Sequence, residues 1–513
     1  MKTAIILIIL LHGFIHLMGF VKAFGLAEIS ELSLSINHVW GVIWLATALT
    51  LILSGVLWML NVSTWWIPAI IGVILSQILV FTFWQDARFG SIPNLIILIV
   101  IVSGFVRHAP PVSMMAEGFT TALFEDRYGA AGTGDLREII NPFEIAIEPM
   151  ERLLLINIEK DPDRLYVGFE PQIFDDEKTG TGMLVIAWRV DGKVDVYHQP
   201  SLSLDPAGYD IAGKGLENMV SCELHDAYFE VTEHGAQASV TFEDIEGRLI
   251  ELRLTEQSTR TRKPFGLLAP MGVAAENPSA MPLILLRDFY FVRRNNTELS
   301  VKVDGRNHTP DSLPLPIDFT RMMFARYSPD PMISKLNPAF DGLLSAISFN
   351  NDLILKHDDH YIELSLNRDL PEIRSISRSH KQHTLSLVFD PAFPNLNAFK
   401  GEKAEGRFEI SGDPSTGFIR GEYSVILSGD LLTIEMIPSG GWIPNADKLS
   451  LRFLYEVQPM FKQWPTTYRW VAELEREAES GFRMTSNWER IENGNNKNDG
   501  STNNGNENCR IVF

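Results

Sequence analysis

The chain runs to 513 residues with 44 basic against 64 acidic side chains, a net charge of −20; one core does not grow to that size, so two or three domains are expected. The imbalance is uneven, because residues 1–110 hold only Lys2, Lys22, Arg88 and Arg107 against Glu28, Glu31 and Asp86, leaving the rest of the chain at −21. A surface so acidic argues against nucleic acid or an anionic lipid surface as a partner.

The first 110 residues are apolar enough for a membrane. Between Lys2 and Lys22 lie 19 uncharged residues, 3–21, enough at 1.5 Å per residue to cross a hydrocarbon layer of about 30 Å. A cleaved signal peptide ending near Gly25-Leu26-Ala27 is the competing reading, but three more apolar stretches follow, which favours an uncleaved helix. No Asp, Glu, Lys or Arg occurs from 32 to 85; this stretch divides at Asn61-Val62-Ser63-Thr64 into spans near 39–60 and 65–84, and a fourth lies near 89–106. Trp40, Trp58, Trp65, Trp66 and Trp84 sit near span ends, where indole rings prefer the interface. Gly41, Ala48 and Gly55 recur every seven residues, a small-residue seam for close helix packing.

Orientation is balanced by charge, with Lys2 and Arg107 on one face and Lys22 and Arg88 on the other. Cys222 and Cys509 are the only cysteines, too few for a disulfide framework. That leans toward a reducing compartment and a cytoplasmic soluble part of a multi-pass protein of the cell membrane.

His12 and His16 share one face of the first span and lie near its middle, where ionisable groups are costly and usually look inward. Gln77 of the third span falls at about the same depth as His16, and His38 opens the second span. The functional reading of His12, His16, Gln77 and His38 is a metal, haem or quinone site or a proton path. The structural reading is that the histidines hydrogen-bond to Gln77, Ser76 or helix carbonyls and fix the packing of the helices.

The runs HGFIHLMGFVKAFGLAE from His12 and SQILVFTFWQDARFGSIPNLI from Ser76 resemble the four-helix N-terminal region of a group of uncharacterised bacterial membrane proteins. The resemblance covers about a fifth of the chain and implies a multi-pass anchor, with no activity to carry over.

Beyond residue 110 the hydrophobic period shortens to two. Residues 114–127 suggest a short helix, after which alternating stretches at 165–169, 183–188, 194–197, 228–232, 238–242, 249–254, 289–293 and 299–303 read as antiparallel strands joined by turns such as Asp191-Gly192 and Asp304-Gly305. Six prolines between 310 and 338 mark a boundary. A second strand-rich block follows, with strands at 353–355, 361–366, 384–389, 406–410, 421–427 and 431–436. The expected architecture is a membrane α-helical bundle of four spans (1–110) followed by a mostly antiparallel all-β region of two sandwich or barrel domains (111–325 and 340–465). An amphipathic helix at 466–482 and a disordered, asparagine-rich tail at 492–513 complete it. Two successive antiparallel β-blocks resemble the tandem lipocalin-like arrangement of some carotenoid hydratases and small-molecule cyclases, an analogy of fold that says little about chemistry.

Zinc-protease, phosphate-loop, nucleophile-elbow and paired CxxC motifs are absent. The glycines of 129–134 follow no strand and read as a connector. Two HxxH pairs remain, His357 with His360 at a hairpin tip and His380 with His383 shortly before the next strand, able to meet on one rim as zinc ligands; polar hairpin tips also collect such residues without any metal. Cys222 and His225 point to opposite faces of a strand and make no nucleophile and base pair. No catalytic residue is assigned. The leading functional reading is a membrane-anchored β-module binding an apolar small molecule, a lipid or a protein partner at the bilayer surface. The rivals are a lipocalin-like isomerase, hydratase or cyclase and an intramembrane histidine site.

Overall fold

The computed structural model describes residues 2–491 apart from 30–31, 61, 107–112, 117, 131–136, 149, 211, 258–263, 271–277, 314–315, 317–319, 350–351, 447–451, 453–454, 456–465 and 478–480. The expected disordered tail at 492–513 and most of the glycine-rich connector at 129–134 fall outside the described residues. The chain forms two compact units, residues 1–110 and 111–513.

The first unit contains helices α1 (Lys2–Ala23), α2 (His38–Met59), α3 (Trp66–Thr82), α4 (Trp84–Ala87) and α5 (Ser91–Val106). Two of these, α1 and α2, are long and apolar enough to cross a membrane. The expectation of four spans is not met: α3 and the helix after it pass the test only as a pair, bent by 117°, which makes the count three if the pair is one broken span. The physical reason is length. At 17 and 16 residues, α3 and α5 are each about 25 Å long, short of the hydrocarbon layer.

Small residues bring α1 and α2 together, as the spacing of Gly41, Ala48 and Gly55 suggests. A Cβ at Gly41 would lie 2.4 Å from Ala23 Cβ, and one at Gly55 would lie 2.6 Å from Leu10 Cδ2. Outward, Leu7, Leu11, Phe14, Leu49, Leu53, Ile74 and Phe81 stand exposed, the surface a lipid-facing bundle presents. Asn37 caps α2 by accepting the N–H of Trp40 at 3.0 Å. The loop before α2 is tied to α4 by Asp86, which accepts the N–H of Leu34 at 2.8 Å.

The second unit is mostly antiparallel sheet. Its first large sheet runs in the order Ile145–Glu148, Pro331–Leu336, Met281–Arg293, Met322–Ser328, Arg152–Asn157, Tyr166–Asp176, Gly180–Arg189, Val194–His198 and Leu216–Ser221, with Phe265–Pro270 paired beside it. Only the last two strands of that path pair in parallel. A five-stranded sheet (Arg306–His308, Thr297–Val303, Leu249–Glu256, Gly235–Glu243, His225–Thr232) packs on it through a core that includes Phe169, Tyr197, Phe229 and Phe242. The proline-rich stretch between 310 and 338, expected as a boundary, contains strand Pro331–Leu336, which pairs with both Met281–Arg293 and Ile145–Glu148.

The C-terminal sheet is a meander. Strands Ile354–His357, His360–Asn367, Leu370–His380, His383–Phe393, Lys403–Ser411, Phe418–Ser428, Leu431–Ile443, Tyr468–Glu477 and Gly481–Arg490 pair in chain order, and Phe340–Ser345 adds at the far edge. A flat sheet of ten strands sets its edges about 43 Å apart at about 4.8 Å per strand. The chain from Ser345 to Ile354, the inner ends of the two edge strands, spans at most about 32 Å. The sheet therefore curls. One hydrophobic cluster, with Leu184, Leu285, Phe389 and Trp470 among its members, draws residues from both large sheets.

The helix expected at 466–482 is strand instead. Tyr468, Trp470, Ala472 and Leu474 are buried in alternation along Tyr468–Glu477, a period of two that packing enforces over the helix-favouring composition of this stretch. The expected helix at 114–127 shrinks to a 3-10 turn at Met114–Ala116 and the single-turn helix α6, Phe124–Tyr128.

Candidate functional site

One turn of α1 separates His12 from His16, so their rings lie side by side at 4.8 Å between centroids. Both are almost fully buried, as are Ser76 and Asn94. His16 Nε2 lies 2.8 Å and His12 Nε2 lies 3.1 Å from the same Ser76 Oγ on α3, while His12 Nε2 also lies 2.9 Å from Asn94 Oδ1 on α5. Asn94 Nδ2 donates to Gln77 Oε1 at 3.0 Å, and Gln77 Nε2 donates to Ser91 Oγ at 3.2 Å. Six polar side chains from three helices thus form one connected network.

Asn94 donates through its amide nitrogen, so its oxygen faces His12, whose Nε2 carries the hydrogen. Ser76 Oγ is shared between the Nε2 atoms of both histidines, and the His16 tautomer sets which member of that second pair donates. Every His Nε2 is engaged, and what the arrangement accomplishes directly is to latch α1 to α3 and α5. Two buried nitrogens next to this latch have no hydrogen-bond partner, His16 Nδ1 and Trp44 Nε1. Their rings sit 5.0 Å apart.

Of the four residues expected at this site, His12, His16 and Gln77 come together and His38 does not. His38 is exposed at the start of α2 with its ring against Phe24. Asn94 was missed because an asparagine inside an apolar run reads as an end-of-span residue; its partner on α1 is 82 positions away.

The two HxxH pairs do occupy neighbouring hairpin tips, with His357 opposite His360 and His380 opposite His383. They do not assemble a metal site. His360 Nε2 accepts the N–H of Ile145 at 3.0 Å, and His383 Nε2 faces Asp330 at 2.9 Å. Arg378 pairs across from His360 and bonds Ile145 O and Asp359, which puts a cation beside His360. Burial and then Arg378 hold the His360 imidazole below its ordinary value, and burial and Lys381 do the same for His380. Among the described residues no group of three or more His, Cys, Asp or Glu gathers around one point.

Two buried charge clusters in the β unit carried no sequence signal. Glu170 is enclosed, accepting from Gln172 Nε2 at 2.7 Å and Trp188 Nε1 at 3.1 Å, and burial lifts its carboxyl to about 7 against the pull of these donors and Arg326. Glu372 is buried against Arg127 at 2.9 Å and Tyr128 at 2.8 Å. Burial, followed by the Glu372 carboxylate, raises the Tyr128 hydroxyl far above its usual range, so it remains a donor. Glu170 has a donor on each of its oxygens and Glu372 accepts three hydrogen bonds on one, the pattern of a structural rather than an open reactive group.

No family model, curated protein or solved structure matches this chain.

Proposed function

We propose that the chain is a multi-pass membrane anchor carrying a non-catalytic β-module, which binds an apolar ligand at the bilayer surface, a lipid acyl chain being the simplest. The observation that carries this reading is the exposure of large apolar side chains on the edges of the C-terminal sheet. Leu343 and Ile354 are 63% and 64% exposed on the two edge strands, and Leu353, Tyr361 and Leu366 stand out beside Ile354. Exposed apolar groups gathered on a sheet edge mark an interaction surface. The half-buried free thiol Cys222 supports a cytoplasmic position for this unit.

The test is reconstitution of the full chain in phosphatidylethanolamine vesicles doped with a photoactivatable diacyl lipid. Labelling of peptides within 343–366, abolished by Ile354→Lys with Leu366→Lys, is the expected result. Labelling confined to residues 1–110 overturns the reading.

A second reading places a lipophilic cofactor in the helical unit, favoured by the unpartnered His16 Nδ1 and Trp44 Nε1. Elemental and absorbance analysis of gently solubilised protein tests it. Metal, haem or quinone that co-purifies and is lost in His12→Ala/His16→Ala supports it, and a clean preparation ends it.

A further inference from the structure

The stretch between the helical unit and the first strands does not belong to either main core. Residues 113–128 cross one face of the C-terminal sheet, and three buried carboxylates on successive strands hold them. Glu409 accepts the hydroxyl of Ser113 and, at 3.0 Å, the N–H of Met114; Asp390 accepts the N–H of Thr120 at 2.7 Å; Glu372 accepts from Arg127 and Tyr128. Glu409, Asp390 and Glu372 alternate along their strands with Phe408, Phe389 and Ile373, which belong to the main core, so the carboxylates stand on the opposite face.

Apolar support for this crossing is small. Phe124 and Tyr128 form a small apolar cluster with Leu370 and Ala398, separate from the main cores, and Arg368 stacks on the Phe124 ring at 4.4 Å. The five-residue helix α6 is too short to hold itself. A segment fastened by polar anchors over a satellite cluster has the composition of a unit that opens on its own.

We infer that residues 113–128 are a releasable strap, docked on the C-terminal sheet through Glu409, Asp390 and Glu372, that sets the length of the tether between the helical unit and the β unit. With the strap docked, the contour from Val106 to Ser113 is at most about 25 Å. With it released, the contour from Val106 to strand Glu138–Ile139 is at most about 110 Å. The inference rests on the anchors alone and not on what the β unit binds.

The test is hydrogen exchange with mass spectrometry on the full chain in lipid nanodiscs, across low urea. The strap peptides should exchange at lower urea than the sheet peptides of 418–443. Glu372→Gln with Asp390→Asn should speed strap exchange at least tenfold and leave the sheet unchanged. Gly401→Val attacks the same contact from the sheet side without touching a carboxylate, since a Cβ there would lie 2.1 Å from Asp126 O; it should act likewise. In a Cys222→Ser/Cys509→Ser background, spin labels at Leu26→Cys and Leu343→Cys should show a longer, broader distance distribution once the strap is opened. Strap and sheet exchanging together in the wild type, variants that speed both or neither, or an unchanged distance distribution with an open strap would each overturn the inference.

Discussion

Gly19 on α1 lies beneath the indole of Trp44 on α2, so close that a Cβ at position 19 would sit 2.1 Å from the ring. The same indole lies against His16, one turn earlier. The glycine therefore seats the tryptophan that walls one side of the histidine network.

Gly19→Ala should destabilise the helical unit by about 1–3 kcal/mol, the range for overpacking a filled contact. Trp44→Ala should remove most of that penalty. Reversible unfolding in mixed micelles measures the double-mutant cycle, and additive effects would show that the two residues do not meet.

Ser76→Ala takes away the hydroxyl that both histidines share. Side-chain hydrogen bonds between membrane helices are worth about 0.6 kcal/mol on average and up to about 1.7, so a loss of about 1–2 kcal/mol is expected. Ser54→Ala is the control. Ser54 is equally buried but its hydroxyl has no partner, and the same unfolding assay should register little or no loss.

Glu170 makes the β unit sensitive to pH in one direction. Its carboxyl titrates near 7 when folded, against 4.5 for an ordinary glutamate, so between these values the native state keeps a proton that the unfolded chain has released. Its stabilising share is full below pH 4.5 and declines as pH rises through 7, by on the order of 3 kcal/mol. Glu170→Gln should flatten that decline. Thermal midpoints of both proteins from pH 4.5 to 8 decide it, and parallel curves would refute the assignment.

Trp488 of the C-terminal sheet donates its indole N–H to Leu336 O and Asn337 O, both at 3.0 Å, at the end of a strand of the first sheet. With a hydrophobic cluster common to both sheets, the β unit should unfold in a single transition, and Trp488→Ala should lower its midpoint as a whole at a cost of about 3–5 kcal/mol. Two separate calorimetric transitions would mean that the blocks before and after residue 338 fold independently.

Local pattern made much of this architecture readable in advance. Alternation at 165–169, 183–188, 249–254, 421–427 and 431–436 fell on strands of the structure, and Asp304-Gly305 takes positive φ at both positions, as a tight hairpin requires. The depth of His12 and His16 drew attention to a network that exists. What stayed hidden is long-range. Strand Arg152–Asn157 pairs with Met322–Ser328, a neighbour that no local period specifies. Asn94 and Glu372 acquire their roles only when distant elements meet. Strand Tyr468–Glu477 misled for another reason: its Ala, Glu, Leu and Arg favour a helix in isolation, and only a neighbouring sheet edge makes the alternation of Tyr468, Trp470, Ala472 and Leu474 decisive.

The short link between the edge strands Phe340–Ser345 and Ile354–His357 acts as a clasp. Its middle, Ile347–Ser348, is itself gripped by Glu138–Ile139, the first strand after the strap. The gape of the curled sheet is thus set by a few residues of slack, and the same residues are pinned by the chain that arrives from the helical unit. The exposed Leu343 and Ile354 stand on the two strands that this clasp joins.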